Sequence, residues 1–231
     1  MFFFNFNYLI YMIPAFILMA ATSWYVKSAY NKWGKVKAQS GLTGSQAAER
    51  LISSMGLYGV RIQPIAGNLT DNYDPRTKVL NLSQGVATTP SVAALAIAAH
   101  ELGHALQDSQ DYIPMRFRSA LVPAVNIGSN LGWILIMIGL FLGWTQVAWL
   151  GVAIFSAGAI FALATLPVEF NASTRAKQML ADSGIIMGDE ERRGVNNVLN
   201  AAALTYVAAL VTSVMQLLYF VSLLGGGRRR S

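Results

Sequence analysis

The sequence predicts a mainly α-helical membrane protein: about four transmembrane helices and a small α+β cytoplasmic domain that a transmembrane hairpin splits in two. Three observations lead there. The 231 residues are 54% hydrophobic and only 12% charged, about half the charge of an ordinary soluble domain. The apolar residues gather in blocks, each near the roughly 20 residues a helix needs to cross a bilayer. Two polar segments separate those blocks, and the first holds helix caps, strand-like alternation and both histidines of the chain.

The elements follow in order. Residues 1–26 form the first transmembrane helix. Residues 2–26 carry no charge, and the basic start of a signal peptide is missing, so no cleavage is expected. Residues 27–119 form the first polar segment. In it Thr43-Gly44-Ser45-Gln46 has the pattern of a capping box, opening a helix that closes near Gly56. Residues 60–65 alternate as a strand, Asn72-Tyr73-Asp74-Pro75-Arg76 has the composition of a turn, and residues 78–82 alternate as a second short strand. Thr89-Pro90 then supplies an N-cap and a proline at the first helical position. The helix opened there carries His100 and His104.

Residues 120–166 form the transmembrane hairpin, with spans at 121–142 and 147–166 joined by the uncharged Gly143-Trp144-Thr145-Gln146. Gly128/Gly132 and Gly139/Gly143 put small residues four apart, which suits close helix packing. Residues 167–203 form the second polar segment, helical with a break between Gly184 and Gly188. Residues 204–224 are the fourth span, and 225–231 a basic tail containing Arg228, Arg229 and Arg230.

Four spans put both polar segments on one side of the bilayer. They hold 14 of the 17 Lys and Arg residues. The positive-inside rule then places that side in the cytoplasm and both termini outside, with Arg228 to Arg230 running against the rule. The net charge of +6 is modest and forms no nucleic-acid patch. With no cysteine, disulfides and thiolate metal sites are excluded.

The stretch Ala98-Ala99-His100-Glu101-Leu102-Gly103-His104-Ala105-Leu106-Gln107 holds the only two imidazoles. Four residues apart on a helix, they share a face and can bind one metal ion. Glu101, beside the first, can reach a water on that ion. This is the HExxH logic of two zinc ligands and a general base. A catalytic zinc usually takes three protein ligands and one water. Without another His or a Cys, the third comes from the 11 acidic residues. Asp108 lies on the same helix, about 12 Å along the axis from His100, too far for one straight helix to share an ion. It is a candidate outer partner or a solvated helix end. The spacing HExxHxxGxxH fails, because Gln107 and Gln110 stand where it needs Gly and His. Glu169, just past the third span, is the better candidate. An ionisable group at the end of an apolar helix is usually functional or paired, and the hairpin returns the chain to the side it left.

Three stretches carry a family resemblance: Leu69-Thr70-Asp71-Asn72-Tyr73-Asp74-Pro75-Arg76-Thr77, the HELGH helix, and Leu166-Pro167-Val168-Glu169-Phe170-Asn171-Ala172-Ser173. In order and spacing the chain resembles the membrane gluzincins of the HtpX and CAAX-prenyl protease class, and more closely the YugP-like family of bacterial neutral zinc metallopeptidases. The resemblance implies a zincin-like domain in a bacterial cell membrane. It also implies one zinc ion held by His100, His104 and Glu169, with Glu101 as base. One departure from the HtpX class is Ser173, where that class often has an aspartate four residues after the glutamate ligand. An acceptor there orients a ligand histidine.

The expected activity is hydrolysis of a peptide or protein substrate. The strand at 78–82 is expected to hold an extended substrate by strand addition. Tyr73, Asn171 and Arg175 are unranked candidates for an oxyanion donor. Expected partners are the lipid bilayer, the substrate, and a membrane protein or second copy of the chain. A site-2-type intramembrane protease fits less well: the apolar run before His100 is too short to span, and no later span contains Asp. The reading from another class is a membrane scaffold or chaperone partner that keeps a zinc site with little or no activity. Structural zinc normally has four ligands, mostly Cys and His, and this chain offers three.

Overall fold

A chain with so few charges meets its backbone hydrogen bonds most simply in helices. Helices dominate the computed structural model, which describes residues 6–226. Among these the order is α1 (Phe6–Trp33), α2 (Gly44–Met55), β1 (Arg61–Ile65), β2 (Asn72–Asp74), β3 (Val79–Ser83), α3 (Gln84–Thr88), α4 (Val92–Ser109), α5 (Ile113–Phe141), α6 (Thr145–Phe155), α7 (Ala157–Asp182) and α8 (Asp189–Gly226). Among the described residues, four helical stretches are long and apolar enough to cross a membrane: Phe6–Trp33, Ile113–Phe141, Thr145–Asp182 and Asp189–Gly226. Each contains one of the expected apolar blocks, and each runs on into polar sequence. The first residues of the expected first span and the Arg228–Arg230 cluster lie outside the described residues.

The chain divides into two compact units. One comprises Met1–Ala21, Arg116–Leu166 and Thr205–Ser231; the other comprises Thr22–Met115 and Pro167–Leu204. In the first unit α5 and α6 approach closely. A Cβ on Gly132 would sit 2.7 Å from the Phe155 nitrogen, and one on Gly139 would press on Ala148. Gly143 instead takes a φ of 70° in the turn between the two helices.

In the second unit α4 is the central element. Its alanines at 93, 94, 96, 98, 99 and 105 are buried with Leu95 and Leu102. A helix apolar on every side is a core helix. Around it pack α2, α3 and the sheet. Thr43 caps α2 through the expected capping box, and Gly56 closes it in the left-handed region, φ 70°.

Four local expectations change. First, α4 begins at Val92 with Ser91 as its cap, two residues later than Thr89-Pro90 suggests. Thr89 ends the short, unanticipated α3. The Pro90 carbonyl accepts from Ala38, and Val92 donates to Val36, so this stretch pairs with the segment after α1 before the helix starts. Second, Asn72–Asp74 is a strand. The turn follows it: Asp74 accepts from the Arg76 amide and the Thr77 hydroxyl, and Lys78 takes a φ of 54°. Third, the sheet order is β1-β3-β2, with β1 parallel and β2 antiparallel to β3. Because β3 is paired on both sides, the strand at 78–82 has no free edge for a substrate. Fourth, the third span and the Glu169 segment are not separate elements, since α7 runs unbroken through Pro167.

Candidate metal centre

The centre is built by α4 and the part of α7 after Pro167. At Gly103 the two backbones come close: a Cβ there would sit 2.5 Å from the Ala172 carbonyl oxygen and 3.1 Å from its Cα. Glycine costs about 1 kcal/mol of helix propensity at this position, and in return it lets α7 approach. Gly103→Ala should push the helices apart and destabilise the fold by about 1–3 kcal/mol, an overpacking cost. A thermal melt of the detergent-solubilised protein reads this as a lower midpoint; an unchanged midpoint would show that the contact has slack.

One turn from that contact, α7 brings Glu169 to the histidines. Its Oε2 lies 3.3 Å from His100 Nε2 and 3.5 Å from His104 Nε2. All three side chains are buried, and one donor atom from each lies within 4.8 Å of the others. The imidazoles stand edge to face, 4.9 Å between centroids. A carboxylate between two imidazole nitrogens, with no thiolate, is a nitrogen and oxygen donor set that suits zinc. Each Nδ1 has its own protein partner: Ser173 Oγ at 3.2 Å from His100 and Gln107 Oε1 at 3.0 Å from His104. Both Nε2 atoms therefore face the shared point.

Glu101 is next to the cluster and only partly covered. Its Oε2 accepts the Tyr73 backbone N–H at 3.0 Å. Burial pushes its carboxyl above the ordinary value, while positive charge on His100 and His104 pulls the other way. For His104, burial acts to lower the pKa, but the Glu169 carboxylate and the Glu101 charge outweigh it and the net shift is upward.

The other candidate residues group behind these. Asp108 Oδ2 accepts from the Tyr73 hydroxyl at 2.7 Å and from Lys78 at 2.5 Å. It thus ties β2 and its turn to the end of α4 and holds no histidine. Burial and this bond to Asp108 raise the Tyr73 hydroxyl pKa and keep it a donor. Asn171 Oδ1 accepts from Arg175 Nε at 2.6 Å, and Arg175 also donates to Gln110 and stacks 5.6 Å from the Tyr112 ring. The side chains of Tyr73, Asn171 and Arg175 are thus engaged in internal contacts. Gln107 is the residue that sequence reasoning missed. It is fully buried, and its only signal was its place three residues after His104, where a polar residue reads as an ordinary helix face.

Fold and cluster together define a class: a helical protein with helices of membrane length and a buried His-His-Glu cluster that could hold a metal ion. The chain belongs to the family described as "Putative neutral zinc metallopeptidase", which it matches over residues 8–225. It is 46% identical over 203 residues to "Putative membrane protease YugP" of Bacillus subtilis (strain 168), covering 88% of this chain and 90% of that protein. No solved structure matches it.

Proposed function

We propose that this protein is a membrane-anchored zinc endopeptidase of the HExxH-plus-Glu type, one zinc per chain, with its site on the cytoplasmic side of a bacterial cell membrane. The observation that carries the reading is the Glu169 carboxylate lying between His100 Nε2 and His104 Nε2. His100, His104 and Glu169 would hold the ion. Zinc, when bound, supplies a Lewis acid that polarises a carbonyl and acidifies a water. Glu101 takes a proton from the attacking water on a carboxylate oxygen and returns it to the leaving amine. Its contact with the Tyr73 amide and its position beside His100 keep it at the cluster. In the β1-β3-β2 order, β2 is the outer strand next to Glu101. An extended substrate pairs there, on the side away from β3.

The family match, the relative's name and the four membrane-length helices support this reading. The excess of Lys and Arg in the polar segments supports the orientation. Metal analysis paired with casein digestion by the purified full-length protein is the test. Stoichiometric zinc with digestion is expected. Stoichiometric zinc without digestion of casein or membrane-protein substrates would favour the scaffold reading.

A further inference from the structure

The roles of three groups around Gln107 are fixed by their chemistry. Gln107 makes three contacts: His104 Nδ1 at 3.0 Å, the Val168 carbonyl at 2.8 Å and Asn171 Oδ1 at 3.0 Å. A carbonyl oxygen only accepts, so the Gln107 NH2 must face Val168. Asn171 is fixed in the same way. Its partner Arg175 Nε can only donate, so Asn171 presents its oxygen, which also accepts from the Gln107 NH2. With both hydrogens of that NH2 committed, the Gln107 oxygen is what meets His104. His104 Nδ1 must then carry a hydrogen, which in the neutral ring leaves the lone pair on Nε2. His100 is held differently, because the Ser173 hydroxyl can donate or accept.

We propose that Gln107 is a positioning residue that locks His104 in the Nδ1–H tautomer, presenting Nε2 to zinc, and that Val168, Asn171 and Arg175 lock Gln107. This rests on the zinc-site reading above. The lock acts before any metal arrives, since both backbone and side-chain partners come from α7. It also explains a fully buried amide in a helix otherwise packed with alanine and leucine.

Zinc affinity of the full-length protein in detergent, measured by competition with a chromophoric chelator, tests it in two variants. Gln107→Leu keeps the volume and removes the acceptor. Gln107→Glu keeps an acceptor for His104 and removes both N–H donors to α7. The lock predicts about 10–100-fold weaker zinc binding for the leucine variant and a smaller loss for the glutamate variant, whose second oxygen meets the Val168 carbonyl and Asn171 Oδ1 without a hydrogen to share. If Gln107 serves only to clasp α4 to α7, the glutamate variant loses as much as the leucine variant, and the proposal is overturned. Unchanged affinity in Gln107→Leu overturns it as well. Gln107→Met carries the same expectation should the leucine variant not fold. Failure of the wild-type protein to take up zinc would overturn the site reading itself, a result distinct from either of these.

Discussion

Glu101→Gln should cut peptide-bond hydrolysis by about 10²–10⁴-fold, the usual contribution of a positioned general base, while zinc stays bound. Glutamine has nearly the same shape, and its oxygen can still accept the Tyr73 amide that Glu101 now holds at 3.0 Å. What it cannot do is take a proton from water. The substitution also removes one carboxylate from beside the cluster, so any change in zinc affinity is small beside the change in turnover. Casein digestion with metal analysis of the same sample reads both quantities. A variant cleaving at the wild-type rate would remove Glu101 from the role of base.

Glu169→Ala should empty the site. Loss of an outer partner typically costs about 10–100-fold in metal affinity, and loss of one of three direct ligands costs more. The effect has a second readout. Zinc that binds only the folded chain stabilises it by mass action, so added zinc should raise the melting midpoint of the wild type and not that of the variant. Glu169 is 2% exposed and lies against both imidazoles. Its removal therefore leaves the two histidines without the carboxylate that both now meet. Full zinc occupancy in Glu169→Ala would exclude it from the ligand set.

Much of this was legible in the sequence, because the strongest signals are also the strongest forces. Apolar blocks of membrane length mark the four long helices, since unpaired backbone in lipid is prohibitive. The i, i+4 histidines share a face through helix periodicity alone. Glu169 stood out because a carboxylate at the edge of an apolar run needs a partner, and the structure brings it between His100 and His104. Thr43 and Gly56 behaved as their local chemistry dictates.

The rest depends on what packs where. Asn72–Asp74 has turn composition, yet it pairs with β3 because Asp74 can serve a strand end and a turn start at once. Alternation in residues 78–82 reveals faces but says nothing about edges, so the central place of β3 was invisible. Thr89-Pro90 is a good helix start by itself, but its backbone is taken by residues 36–38. Gln107 acquires meaning only when the Val168 carbonyl and Asn171 arrive from a segment more than sixty residues away. That the Ala172 backbone fills the space beside Gly103 required the structure.

In the proposed reading one zinc ion sits between α4 and α7, held by His100, His104 and Glu169. An anomalous difference map recorded across the zinc absorption edge, from crystals of the full-length protein, tests it most directly. One peak per chain is expected, about 2.0–2.2 Å from both Nε2 atoms and from a Glu169 oxygen. A peak elsewhere, or a peak on the histidines with Glu169 turned away, would contradict it.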